Sequence, residues 1–245
     1  RYVNIKAKFE KLIKHNSSAL NIIVGASLLE QSQKGAKSKL IGKKWYNTYN
    51  IALHYNANKT DIYRKSKLVP GAEQMPFQNF LYPLVGNQVL QIGNSTMVGN
   101  FSTQDSVSVF SSSDGYSVAP IICYESIYGD YVREFVKKGA EAIVVITNDG
   151  WWRNTDGYKQ HNMYAQLRAI ETRRYVVRSA NTGISSVINF KGVIENKIDW
   201  EVKDVIKRNI QLNNTYTFYV KHGDFLGRLS AFLSVIIVLY FIVLF

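Results

Sequence analysis

The spacing of apolar residues changes several times along the chain. In VNIKAKFEKLIKH (3–15), Ile5, Phe9, Leu12 and Ile13 recur at helical spacing, and Asn16-Ser17-Ser18 closes that predicted helix. A run of strand patterns follows. ALNIIVGASLLE (19–30) reads as a buried strand and WYNTYNIALHYN (45–56) alternates as a strand does. Asn56–Lys59 then turns the chain into TDIYRKSKLV (60–69), which predicts a hairpin. Further short strands are predicted between Val89 and Glu125, with Asp114-Gly115 as a hairpin turn. SIYGDYVREFVKKGA (126–140) predicts a helix stopped by Gly139. EAIVVITND (141–149) has the continuous apolar run of a strand buried on both faces. A second long helix is predicted over YKQHNMYAQLRAIETRRY (158–175), and YVVRSANTG, ISSVINFKG and VIENKID supply the remaining strands. Strands and helices alternate without internal repeats, so the class is α/β, with residues 1–222 as one layered domain.

The last stretch obeys neither period. LSAFLSVIIVLYFIVLF, Leu229–Phe245, has no charge, glycine or proline and no polar face. At 1.5 Å per residue it spans about 26 Å, near the length that crosses a bilayer core. A membrane helix over 226–245 is expected, with a helix buried in the core as the alternative. The chain opens on Arg1 without a signal-like segment and reads as part of something longer. Its net charge of +12 comes from scattered basic residues, with no basic stripe carrying interleaved aromatics. No nucleic-acid partner is expected.

Cys123, in SVAPIICYES, is the one cysteine among 245 residues, so no disulfide framework exists within the chain. It ends a predicted strand and precedes a helix expected near Ser126. That position presents a thiol to backbone N–H groups that favour thiolate and can bind an oxyanion. The same residue in an apolar run also reads as core filling. None of His15, His54, His161 and His222 falls in a Cys/His signature. Lys65 and Lys67 come at a strand end before the turn Val69-Pro70-Gly71-Ala72, followed by Glu73 and Pro76. Read alone, that segment is a solvated basic hairpin tip. No Cys/His cluster and no glycine-rich phosphate loop occurs, so neither a metal nor an organic cofactor is expected.

Taken together, YRKSKLVPGAEQMPF, IICYESIYGDYVREF, ITNDGWW, QHNMYAQLRAIETRRYVVRSANTGISSVI and FKGVI resemble the carbon–nitrogen hydrolase (nitrilase) superfamily. Within it they resemble the apolipoprotein N-acyltransferase branch, over roughly Ile22–Ile194. The resemblance implies a nitrilase-like α-β-β-α sandwich followed by a transmembrane helix, and a Glu-Lys-Cys triad. It makes Cys123 the nucleophile and Lys65 the oxyanion-stabilising cation. Glu73 matches an auxiliary carboxylate, Glu125 matches the acid of Cys-Tyr-Glu, and Tyr124 supplies an oxyanion N–H. The family's general-base Glu belongs to a strand before the first helix and has no counterpart here, so it is expected upstream of Arg1. Trp151 and Trp152, by default core aromatics, are expected to contact lipid in this branch. His161 reads as a hydrogen-bonded helix residue. Arg168, Glu171, Arg173 and Arg174 read as structural pairs along a helix.

The expected reaction moves an acyl chain from a phospholipid to Cys123 and then to the amine of a diacylglyceryl apolipoprotein. This would take place on the extracytoplasmic side of the bacterial inner membrane. Two other readings remain open. A soluble-type amidase or nitrilase would share the triad but should lack Leu229–Phe245, and a membrane-anchored binding protein on the same scaffold would need no base.

Overall fold

A computed structural model describes residues 2–16, 19–35, 37–74 and 101–244. Strands expected between Val89 and Asn100, and Pro76, lie outside the described residues. Helix α1 (Tyr2–Asn16) leads into strands β1 (Ile22–Ser32), β2 (Lys39–Ile41), β3 (Lys44–Tyr55) and β4 (Thr60–Arg64). These form a 4-stranded antiparallel sheet in which β3 pairs with each of the others. Strands β5 (Phe110–Ser111), β6 (Ser117–Ile122), β7 (Ala142–Thr147), β8 (Val176–Ala180), β9 (Ser185–Ile188) and β10 (Ile194–Ile198) form a 6-stranded sheet. Its order is β10-β9-β8-β7-β6-β5, with β6, β7 and β8 parallel. Helices α2 (Gly129–Lys137) and α3 (Asp156–Thr172) pack on this sheet, and short α4 (Phe218–His222) leads into α5 (Phe225–Leu244). The layers run α1, first sheet, second sheet, then α2 and α3: the α-β-β-α sandwich.

Strand periodicity explains the layering, because alternate side chains of a strand face opposite ways. In β3, Ile51, Leu53 and Tyr55 face α1 and cluster with its Ile13 and Phe9. Ala52, between them, faces the second sheet and joins Tyr63, Ala119, Ile121, Ile143 and Val145 in the main core. On α1 the stripe is narrower than its spacing predicts, for Ile13 is buried but Leu12 is exposed. The sheets approach closely where β1 crosses β7. A Cβ built on Gly25 would sit 2.7 Å from Cγ2 of Ile146.

Three boundaries differ from those the sequence predicts. The helix expected near Ser126 is split into a 3-10 turn, Cys123–Ile127, and α2 from Gly129, with Tyr128 extended between them. Strand β7 stops at Thr147 because Asn148 Oδ1 accepts the Gly150 N–H at 3.1 Å and starts a second 3-10 turn, Asp149–Trp152. Helix α3 begins earlier, capped by Thr155, and ends at Thr172 because Arg173 takes a left-handed backbone with φ 52°. Strand β2 was not evident in the pattern; Gly42, with φ 61°, turns it back onto β3.

Helix α5 is 20 residues long with mean hydropathy 2.3, and none of it is buried. Helix α5 is long and apolar enough to cross a membrane.

Gly25→Val should wedge β1 away from β7. The expected loss is about 1–3 kcal/mol, the usual cost of overpacking, read as a lower urea midpoint. An unchanged midpoint would mean that the sheets separate freely there.

Candidate active site

Buried strand β6 delivers Cys123 to the edge of the core. There the chain turns sharply, with Cys123 at φ 51°, a left-handed conformation that strains a side-chain-bearing residue. Ser126 Oγ donates to the Cys123 carbonyl at 2.9 Å, and His161 Nε2 lies 3.1 Å from the same oxygen. The Ile122 N–H donates to Glu125 Oε2 at 2.8 Å. These bonds hold a conformation that local sequence disfavours. The thiol thus sits on a strand–turn–helix elbow, built from a 3-10 turn where an α-helix was expected.

Lys65 arrives from the other sheet. Its N–H continues the β3–β4 ladder by donating to Asn50 O at 2.8 Å. Strand alternation puts its side chain on the same inward face as Tyr63. The ammonium is 1% exposed and donates to both oxygens of Glu73, at 2.9 and 2.7 Å. Glu73 is held in turn by Asn50 Nδ2 at 2.6 Å and the Val69 N–H at 2.8 Å. The Val-Pro-Gly-Ala turn makes this arrangement local: Gly71, at φ 82°, lets the Glu73 N–H return to Val69 O at 2.9 Å. A lysine that reads as solvated from sequence is therefore a fixed, buried cation.

Glu125 connects the two limbs. Its Oε1 accepts from Tyr63 Oη at 2.5 Å, from the Ser66 N–H at 2.7 Å and from the Lys67 N–H at 3.2 Å. Burial pushes the Glu125 carboxyl up, opposed by the Tyr63 hydroxyl and by the Ile122 and Ser66 N–H groups. Glu125 does not line the cavity that holds Cys123, and its partners are three backbone N–H groups and the Tyr63 hydroxyl. Burial, with Glu125 nearby, also raises Tyr131 to about 12.

Beneath the elbow lies a buried polar cluster that sequence reasoning missed. His161 Nδ1 is 2.9 Å from Asp149 Oδ1, which also accepts from Thr147 Oγ1 at 2.9 Å. Arg178 pairs with Asp149 Oδ2 and its Nε donates to Ile184 O at 3.1 Å. Burial alone would push Asp149 up. His161, Arg178 and Thr147 outweigh it and hold the carboxyl below its usual range. The available signal was Arg178 itself, since an arginine in phase with buried Val176 demands a buried anion. As expected, His161 is a hydrogen-bonded helix residue. Arg168 pairs with Glu171, but Arg174 binds the carbonyls of Ala140, Thr172 and Thr215 instead.

Cys123, Lys65 and Glu73 line one cavity of about 1070 Å³, together with Asn50, Trp151 and Glu201. Trp151, 56% exposed, stands at this cavity. Trp152 instead covers the first turn of α3, where a Cβ on Gly157 would meet its ring at 2.5 Å. Among the described residues no cluster of His, Cys, Asp or Glu could hold a metal ion. A thiol and a buried cation that line one cavity are groups suited to nucleophilic attack on a carbonyl and to stabilising the resulting oxyanion.

This α-β-β-α sandwich, with Cys123, Lys65 and Glu73 on one cavity, belongs to the carbon-nitrogen hydrolase family, which the chain matches over residues 4–219. It is similar to the apolipoprotein N-acyltransferase of Chlorobaculum tepidum, at 35% identity over 73% of this chain and 34% of that protein. It is also similar to the apolipoprotein N-acyltransferase of Thermotoga maritima, at 32% identity over 71% of this chain and 33% of that protein. The chain thus spans about a third of the length of these relatives. An amidase from Nesterenkonia sp. shares the fold, with TM-score 0.52 and 12% identity over 80% of this chain and 62% of that one.

The strained elbow predicts that Cys123→Gly will be more stable than Cys123→Ala by about 1 kcal/mol, since only glycine adopts φ 51° freely. Equal urea midpoints would deny the strain. A carboxyl held low when folded stabilises the fold above its unfolded value near 3.9, and that contribution is lost as pH falls through the lower folded value. Asp149→Asn should therefore destabilise the protein at neutral pH and flatten its acid limb below about pH 4 in denaturation at stepped pH. An acid limb as steep as that of the unaltered protein would count against the assignment.

Proposed function

We propose that this chain carries the catalytic portion of an apolipoprotein N-acyltransferase, with residues 1–222 as the catalytic unit and 226–245 as a membrane helix. The observation that carries the reading is the meeting of Cys123 and the Glu73-held Lys65, from different sheets, in one cavity of a chain with an exposed apolar helix. Similarity to the named acyltransferases supports it.

In the proposed first half-reaction the Cys123 sulfur attacks a phospholipid ester carbonyl. A C–S bond forms, the C–O bond breaks, and the lysophospholipid alcohol leaves with a proton. Lys65 and the Tyr124 N–H stabilise the tetrahedral oxyanion. In the second, the α-amine of a diacylglyceryl-cysteine attacks the thioester. An amide forms, the C–S bond breaks, the amine gives up a proton and the thiol is regenerated. Glu73 fixes Lys65, and Glu125 acts by holding the two limbs together. Trp151 contacts the acyl donor at the cavity, and the unit works at the extracytoplasmic face of the bacterial inner membrane. The shared amidase fold favours one other reading, hydrolysis of small amides, which gives the apolar helix no role.

The test is peptide mass spectrometry on the full-length protein after incubation with phospholipid. The Cys123 peptide should gain a fatty-acyl mass that hydroxylamine removes, and Lys65→Ala should slow its appearance by about 10²–10³-fold, the usual cost of an oxyanion donor. A full-length protein that forms no adduct but hydrolyses small amides would replace this reading with the amidase one.

A further inference from the structure

The Cys123 carbonyl is held by two side chains, and neither belongs to the Lys65–Glu73–Cys123 set. Ser126 Oγ donates to it at 2.9 Å, and His161 Nε2 lies 3.1 Å from it. Both side chains are buried, His161 at 4% and Ser126 at 0% exposure, and neither lines the cavity. The carbonyl therefore points into the core. That carbonyl shares one planar peptide unit with the N–H of Tyr124. The bond is trans, and in a trans unit the C=O and N–H vectors point in opposite directions. Whatever fixes the carbonyl inward therefore aims the Tyr124 N–H the opposite way, out of the core.

We infer that His161 and Ser126 are positioning residues for oxyanion stabilisation, acting through the Cys123–Tyr124 peptide without touching the acyl group. This rests on the thioester reading above and adds to it the part that orients the N–H. The rest of the buried cluster keeps His161 in place. Asp149 Oδ1 lies 2.9 Å from its Nδ1 and is itself held by Thr147, while Arg178 binds the other carboxylate oxygen and stands 3.1 Å from Nδ1. With Nδ1 against a carboxylate and Nε2 against a carbonyl and the Ser126 hydroxyl at 3.0 Å, the ring is fixed at both ends. The left-handed backbone at Cys123 explains the need for anchoring: at φ 51° the peptide would otherwise relax and swing its N–H away.

The distinguishing experiment compares two reactions of the same sulfur in the full-length protein in detergent. Acylation by p-nitrophenyl hexanoate passes through an oxyanion, whereas alkylation by iodoacetamide displaces iodide and forms none. His161→Ala and Ser126→Ala should each slow the p-nitrophenolate burst, by up to about 10²-fold, while alkylation stays within about threefold. His161→Gln, whose side-chain amide can donate near the Nε2 position, should recover most of the loss. Thermal melts accompany each variant, and Ser126→Ala, the smallest change, carries the test if His161→Ala does not fold. Acylation and alkylation falling by one factor would overturn the inference, as would no change in either, or a glutamine variant as slow as the alanine one. If the unaltered protein is alkylated but takes no acyl group, the thioester reading falls and this inference with it. If it is acylated and the variants match it, only this inference falls.

Discussion

A single buried carboxylate holds the site together. Cys123 and Lys65 belong to different sheets, and nothing in the ladder of either sheet sets their separation. Glu125 supplies that constraint by accepting the Ile122 N–H from the nucleophile elbow and the Ser66 and Lys67 N–H groups from the strand end that carries the lysine. Tyr63 completes the set and passes the connection to Tyr131 of α2 at 2.8 Å. Burying a carboxylate is costly, and here four donors offset the cost. Removing it would leave buried N–H groups unsatisfied, each a loss of about 1–3 kcal/mol.

Much of this architecture was readable because it rests on short-range rules. The alternation in WYNTYNIALHYN set which residues of β3 face α1, and the apolar run of β7 placed that strand in the middle of its sheet. The Val-Pro-Gly-Ala turn was legible too, although the buried Lys65–Glu73 pair that it closes was not. What escaped notice depends on contacts between distant segments. The elbow at Cys123 looked like an ordinary helix start, because the features that break it, Glu125 bound to Ile122 and Ser126 bound to Cys123, follow from burial and not from helix propensity. Asp149 was visible only as part of a motif, and its partnership with His161 and Arg178 needed α3 and β8 to be packed beside it. Trp151 and Trp152 looked equivalent, yet they separate because the 3-10 turn directs one to the cavity and the other onto α3.

Two polar assemblies frame the cavity that holds Cys123. On one side, Asn50 and Val69 orient Glu73, which orients Lys65. On the other, Thr147, Arg178 and Asp149 orient His161. The first fixes a charge in the cavity that the thiol also lines, and the second holds the Cys123 carbonyl. The apolar helix α5 takes part in neither assembly.

The sequence separations within these assemblies carry a consequence for how the chain folds. Lys65 and Glu73 lie 8 residues apart, so their turn closes a short loop at small entropic cost. The Glu125 connections to Ser66 and Tyr63 span 59 and 62 residues, and they form only once the two sheets have docked. The cation and its partner can therefore assemble early, while the elbow acquires its left-handed backbone at the end. An incompletely folded chain would hold an ion pair and a slack, unaimed thiol. The reactive geometry is a late product of folding, so the chain cannot expose it before the core that controls it exists.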